Sequence, residues 1–104
     1  MATSVRVELG RRAKRDAEAI HDHIAEARPK AAEKWLREFY KKLALLRKMP
    51  LLYEALPEIE ATEAIYRHFE YKNYRIIYRV EENLVVIVRV IQASRILTLE
   101  MLQE

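Results

Sequence analysis

The spacing of hydrophobic and polar positions changes twice along the chain. Residues 5–9 alternate apolar and polar side chains, which predicts a short first strand. From Arg11 the apolar positions recur every three or four residues, along one stripe of a helix formed by Ala13, Ala17, Ile20 and Ile24. A period of two returns at residue 65 and continues to residue 92. The pattern therefore predicts a strand, a helical region and then a run of strands.

A proline divides the helical region into two helices. Pro29 disfavours the α conformation at Arg28 and suits the first turn of a second helix. The apolar stripe of this second helix contains Trp35, Leu36, Phe39, Leu43 and Leu46, and the pair Met49-Pro50 ends it. So short a connection predicts that the two helices lie antiparallel, as a helical hairpin.

Strands are predicted at residues 65–70, 74–80 and 84–92, after an irregular acidic connection over residues 51–63. Between the last two strands we expect a three-residue loop of Glu81, Glu82 and Asn83, with Asn83 in the left-handed conformation. Residues 94–102 allow a short C-terminal helix capped by Ser94. The fold class is therefore α+β, with a helical hairpin packed on a three- to four-stranded antiparallel sheet.

Arginine recurs at alternate positions of the last strands. With the three-residue loop, one sheet face collects Ile76, Tyr78, Val80, Leu84, Val86 and Val88, and the other collects Arg75, Ile77, Arg79, Val85, Ile87 and Arg89. Arginine has little reason to occupy such positions unless that face is wet and binds something. We therefore expect a basic face that binds a target or partner, formed by Arg67, Arg75, Arg79, Arg89 and Arg95. The alternative is a solvated face whose arginines pair with Glu70, Glu81 or Glu82. The sequence does not fix the register of the strand that holds Arg67.

Composition narrows the function classes. A length of 104 residues fits a single domain over residues 1–104, and the absence of cysteine indicates a reducing, intracellular compartment. The net charge of +3 permits an acidic partner or nucleic acid without requiring one. His21 and His23 are two residues apart on a helix, which directs their rings away from each other, and His68 has no acidic residue beside it in the sequence. We expect no catalytic residue, metal or cofactor.

Two long segments resemble the RelE/ParE superfamily of type II toxins, and together they cover nearly the whole chain. One is the hairpin sequence VELGRRAKRDAEAIHDHIAEARPKAAEKWLREFYKKLALLRKMP, with its framework of Ile20, Ile24, Pro29, Ala32 and Trp35. The other is the strand sequence AIYRHFEYKNYRIIYRVEENLVVIVRVIQASR. The resemblance implies the fold described above and one of two activities.

The RelE-like branch cuts messenger RNA on the ribosome. That reaction needs one group to take the 2′-OH proton, another to protonate the leaving oxygen, and cations on the phosphate. Such toxins use a His or Tyr near the end of the last strand, where this chain has Gln92, and no His or Tyr follows Tyr78. The ParE-like branch is associated with inhibiting DNA gyrase by binding, and the segments YRIIY and PKAA look more like it. We therefore expect a ParE-like plasmid-stabilisation toxin that is not an enzyme.

The resemblance to this branch implies a ParD-like antitoxin as partner in a cytoplasmic hetero-oligomer. The antitoxin's flexible C-terminal segment folds onto the toxin, and its N-terminal half binds operator DNA, which the toxin contacts only indirectly. Besides the basic face, we expect a groove beside the hairpin in which Leu43, Leu46 and Met49 receive helical anchors. Two alternatives stay open: a RelE-like ribosome-dependent mRNA endonuclease, and a degenerate toxin that acts only as an antitoxin-binding co-repressor.

Overall fold

A computed structural model describes residues 4–57 and 65–103. Its elements, in chain order, are β1 (Arg6–Leu9), α1 (Arg11–Ala27), α2 (Pro29–Leu45), β2 (Tyr66–Tyr71), β3 (Tyr74–Glu81), β4 (Leu84–Gln92) and a 3₁₀ turn (Leu99–Leu102). The predicted α+β order is confirmed. The last element is a 3₁₀ turn preceded by Thr98, whereas we expected a helix capped by Ser94. Part of the predicted irregular connection, residues 58–63, lies outside the described residues. No helix within the described ranges is long and apolar enough to span a membrane.

The sheet is mixed and has the strand order β1-β4-β3-β2. β1 pairs with β4 in parallel, and the other neighbours are antiparallel, so the prediction of a wholly antiparallel sheet is wrong at one edge. The reason is topological: the chain crosses through the helical hairpin between β1 and the later strands, and a long crossover permits parallel pairing. The backbone N–H of Gly10 donates to the carbonyl of Ile87 at 2.8 Å, which ties the start of α1 to β4.

The helical hairpin covers one face of the sheet. Arg28, the residue before Pro29, has φ −144° and ψ 78°, so the helical conformation is interrupted where the sequence predicted. Trp35 stacks on Phe39, with ring centroids 5.3 Å apart. The predicted stripes meet the sheet in one core, which includes Ala13, Ala17, Ile20, Trp35, Phe39, Leu43, Leu46, Ile76, Tyr78, Val85, Ile87 and Val90. Burial raises the pKa of Tyr78, whose neutral hydroxyl donates to the carbonyl of Pro50 at 3.1 Å.

The loop between β3 and β4 has two residues, so the predicted three-residue loop is wrong. Glu81 pairs with Leu84, and the residue with positive φ is Glu82, at 36°, in place of Asn83. This register sets Val80 opposite Val85 and Tyr78 opposite Ile87. Val85 and Ile87 therefore face the helices, and the predicted assignment of the β4 valines to faces is reversed.

A β-bulge then shifts the register of β4. Tyr78 pairs with Ile87, but Ile77 pairs with Arg89, which leaves Val88 as an extra residue. The extra residue reverses the alternation beyond it. Arg89 thereby shares a face with Arg75 and Arg79, as predicted, although through a different loop and register.

That face is covered, so the expectation of a wet arginine face is wrong. Leu97, Met101 and Leu102, from the C-terminal segment, form a second core with Leu56, Ile77, Val86, Val88 and Ile91. The apolar residues that alternate with the arginines are the physical reason, because removing them from water is favourable. The sheet is thus buried on both sides.

One carboxylate joins α1, β4 and the C-terminal segment. Asp16 accepts hydrogen bonds from Arg89 Nε at 2.7 Å and Nη2 at 3.1 Å, and from the backbone N–H of Val90 at 2.9 Å. Arg89 Nη1 donates to the carbonyl of Met101 at 3.1 Å. From α1, Arg12 Nη1 donates to the carbonyls of Glu100 and Gln103 at 3.1 and 2.6 Å. These bonds hold the C-terminal segment over the sheet.

Replacing Asp16 by Ala leaves the Arg89 guanidinium buried without its anion. Because removing one partner of a buried ion pair is strongly destabilising, we expect Asp16→Ala to lower the free energy of unfolding by about 3 to 5 kcal/mol. Asp22→Ala is the matched control, since that carboxylate is 80% exposed, and it should change stability by less than about 0.5 kcal/mol. Urea unfolding followed by Trp35 fluorescence measures both, and equal effects would contradict the role given to Asp16.

Candidate functional site

The arginines of the predicted basic face occupy unlike environments. Arg75 and Arg89 are each only 7% exposed. Arg79 lies on the same face, partly exposed, and its Nε donates to Glu81 Oε1 at 2.8 Å. This pairing with a glutamate is the alternative that the sequence left open. Two of the three arginines are thus inside the protein in this conformation.

Of the other two predicted residues, Arg67 lies on the opposite sheet face, and Arg95 lines one cavity with Arg89. Arg67 pairs across the sheet with Tyr78, on the helix side, and its Nη1 donates to the carbonyl of Tyr53 at 2.6 Å. Arg95 follows β4, is exposed, and forms no ion pair with a described residue. The prediction of one continuous basic face is therefore wrong. Of the five predicted arginines, Arg79 is partly exposed and Arg95 is exposed.

The predicted groove residues are also mostly internal. Leu43 is 4% exposed and Leu46 is fully buried, because both belong to the stripe that packs on the sheet. Met49 is 44% exposed and remains available. The exposed apolar side chains near the end of α2 and in the turn after it are Tyr40, Leu45, Met49, Leu51 and Leu52. We call this set the exposed apolar patch.

A cluster of three charged or titratable side chains forms at the outer edge of β2. The segment before β2 runs along this edge: Ala55 bridges to Arg67, and the N–H of His68 donates to the carbonyl of Glu54 at 3.3 Å. This brings Glu54 Oε1 to 3.5 Å from His68 Nε2. The expectation that His68 has no acidic neighbour is wrong, because the pairing joins residues that are distant in sequence.

Arg75 donates a hydrogen bond to the His68 ring. Its Nη2 lies 3.3 Å from His68 Nδ1, and because a guanidinium only donates, Nδ1 is the acceptor. Nε2 is buried, and the 3.5 Å approach of Glu54 lacks hydrogen-bond geometry. Glu54 is 80% exposed, so its carboxylate is the member of the cluster that a ligand can reach. It borders a cavity of about 490 Å³.

A second polar cavity, of about 310 Å³, lies at the end of β4. Gln92 lines it together with Arg95, and glutamine does not titrate. His23 from α1 and Tyr74, which pairs with Gln92 across the sheet, line the same cavity. From the sequence we considered a His or Tyr for proton transfer only near the end of β4 and beyond it. We therefore missed His23 and Tyr74, which the fold brings to this cavity. Within the described residues, no group of three His, Cys, Asp or Glu residues is placed to hold a metal ion.

Comparison with known families assigns the chain. The model of the family described as "ParE toxin of type II toxin-antitoxin system, parDE" matches residues 7–97. The chain belongs to the ParE toxin family. A sequence comparison with curated proteins gives no significant match.

Solved structures share the fold at low sequence identity. The chromosomal ParDE toxin–antitoxin system of P. aeruginosa contains a chain that is 20% identical, with a TM-score of 0.70, over 88% of this chain and 98% of that one. The archaeal RelE–RelB complex of Pyrococcus horikoshii OT3 gives 18% identity and a TM-score of 0.63, over 89% and 99%. The RelBE2 toxin–antitoxin complex of Mycobacterium tuberculosis gives 20% and 0.58, over 90% and 98%.

These findings confirm the resemblance to the RelE/ParE superfamily, closest to its ParE branch. The protein is a toxin of a type II toxin–antitoxin system, as the matched family is described. At about 20% identity these structures show that the fold is shared, and no site residue of theirs is assigned to this chain.

Glu54 should contribute little to stability. Because its carboxylate is mostly exposed, the approach to His68 is screened by water, and we expect Glu54→Gln to lower the free energy of unfolding by less than about 1 kcal/mol. Glu70→Gln on β2, also exposed at the same cavity, is the matched control. Urea unfolding compares the two, and a loss above about 2 kcal/mol confined to Glu54→Gln would show that the cluster supports the fold.

Proposed function

We propose that this toxin inhibits DNA gyrase by binding and is neutralised in the cytoplasm by a ParD-like antitoxin. The observation that carries the proposal is the match to the ParE toxin family over residues 7–97. The two proteins form a hetero-oligomer, and operator DNA is contacted through the antitoxin. Gyrase as the target comes from the resemblance to the ParE-like branch.

The residue at the end of β4 supports a binding mechanism. Hydrolysis of RNA through the 2′-OH needs a base and an acid near the phosphate. Gln92 provides neither at the position where RelE-like toxins use a His or Tyr, although His23 and Tyr74 line the same cavity. The two arginines closest to the sheet centre are buried, with Arg89 committed to Asp16. A toxin that acts by binding requires no proton transfer. This inhibitor is therefore not an enzyme in our proposal.

Arg79 and Arg95 are the arginines that we propose for target binding. Arg79 is held by Glu81 at the strand end, and Arg95 is exposed after β4. Arginine suits such a role because its planar guanidinium binds carboxylates and phosphates through paired hydrogen bonds. Arg75 and Arg89, being buried, act as supports of the sheet.

The exposed apolar patch is the surface that we propose for the antitoxin's helical anchors. Its side chains lie along the end of α2 and the following turn, and each is between 40% and 60% exposed. Covering such residues with a disordered amphipathic segment is favourable, because it removes apolar surface from water, and this offsets the cost of ordering the segment. This assignment keeps Met49 from the sequence prediction and replaces the buried Leu43 and Leu46.

A second function has one observation in its favour. The Glu54–His68–Arg75 cluster provides an exposed carboxylate, 3.5 Å from a histidine nitrogen, at the edge of a cavity. A carboxylate in this position suits the base of a ribosome-dependent mRNA endonuclease. The cluster lacks an evident acid for the leaving oxygen, so this function ranks second. A degenerate toxin that only binds the antitoxin is the third.

Two assays on the purified toxin distinguish the three functions. In a supercoiling reaction with DNA gyrase we expect linear cleaved DNA to accumulate, while mRNA on programmed ribosomes stays intact. Arg95→Ala should reduce the linear product by about tenfold, the loss expected for a charged contact in an interface. Arg15→Ala, an exposed arginine on α1, should not reduce it.

Cleaved mRNA with unaffected gyrase would contradict the proposal and favour the endonuclease. In that case Glu54→Gln should abolish cleavage and Glu70→Gln should not, because of these two glutamates Glu54 is the one that pairs with His68. Inactivity in both assays, with the antitoxin still bound, would favour the degenerate toxin.

A further inference from the structure

A third cavity lies at the end of the helical hairpin that is away from the exposed apolar patch. It has a volume of about 420 Å³ and forms where the connection between α1 and α2 meets the turn between β2 and β3. Ligand pockets in proteins measure about 300 to 1,000 Å³, so this space can receive a side chain and its neighbours. We call it the hairpin-end pocket, and its residues used below are Arg28, Lys34, Trp35, Lys72 and Tyr74.

The charge at this pocket is positive. Arg28, Lys34 and Lys72 line it, and none of its described lining residues is acidic. These three side chains are exposed and form no ion pair with residues 4–57 or 65–103. The N-terminus of α2 also lies here without a side-chain cap, which adds the positive end of the helix dipole. The pocket is therefore suited to carboxylates.

The apolar part of the pocket contains a buried donor without a partner. Trp35 is 5% exposed and packs edge-to-face against Tyr74, with ring centroids 5.7 Å apart. Its indole N–H is buried and has no acceptor among the described residues. A buried donor without an acceptor is unfavourable. An oxygen of a bound group placed beside Trp35 would supply the missing acceptor.

We propose that the hairpin-end pocket binds an acidic segment of the antitoxin, with one oxygen of that segment beside the Trp35 indole N–H and carboxylates on Arg28, Lys34 and Lys72. This inference rests on the proposed antitoxin partnership and adds a site at the opposite end of α2 from the exposed apolar patch. Single-stranded nucleic acid fits less well, because sites for it stack bases on open aromatic faces and Trp35 is buried.

The test measures binding of the antitoxin encoded beside the toxin gene, by isothermal titration at physiological salt. The variant Lys34→Glu/Lys72→Glu should weaken binding by about tenfold or more. The control Arg11→Glu/Arg15→Glu makes the same change in net charge at exposed positions on α1, outside the pocket, and should weaken it by less than about threefold. Circular dichroism checks that both variants are folded.

A second readout uses Trp35, the only tryptophan of the chain. With an antitoxin whose own tryptophans are replaced by phenylalanine, complex formation should shift Trp35 emission in the wild type, and the shift should be smaller in Lys34→Glu/Lys72→Glu. Unchanged binding by this variant would overturn the pocket proposal and leave the proposed function intact. Equal weakening by both double variants would also overturn the pocket proposal, because the loss of affinity would then follow the net charge and not the pocket. No complex with the wild-type toxin would overturn both proposals.

Discussion

The ion pair between Asp16 and Arg89 is the interaction on which the rest of the structure depends. Asp16 reaches from α1 to the guanidinium and to the backbone of β4, just beyond the four residues that β1 pairs. Arg89 then holds the carbonyl of Met101, and Arg12 holds two more carbonyls of the C-terminal segment. Charge-assisted hydrogen bonds of this kind are stronger than neutral ones. One helix thereby fixes both the sheet and the segment that covers its far face.

Burial of both sheet faces restricts where the toxin can bind. One face packs on the hairpin, and the other packs on Leu97, Met101 and Leu102. The exposed cations and apolar side chains of the toxin therefore lie around the margins of the sheet: along α2, in the turns that follow the strands, and at the edge of β2. The exposed apolar patch and the hairpin-end pocket lie at opposite ends of α2, so one extended segment could contact both. A small domain thus offers a long binding surface without opening its core.

Local sequence patterns predicted the helices correctly. The features that they did not predict depend on pairing between residues far apart in the chain. The stripe of Ala13, Ala17 and Ile20 and the break at Pro29 depend on neighbours in sequence, and the structure agrees with both. The direction of β1, the bulge at Val88 and the approach of Glu54 to His68 depend on residues far apart in the chain. The bulge shows the difference most clearly. Arg89 reaches the predicted face, but one extra residue and a shorter loop replace the simple alternation that we assumed.

Hydrogen–deuterium exchange of the toxin, free and bound to its antitoxin, tests the central claim that binding occurs around a closed sheet. We predict slower exchange on binding in α2 and in the turn after it, with little change in β3, β4 and the 3₁₀ turn, whose contacts are already made. Faster exchange in the 3₁₀ turn, together with new protection in β3 and β4, would contradict the claim. It would mean that the C-terminal segment opens and that Arg75 and Arg89 form the binding face after all.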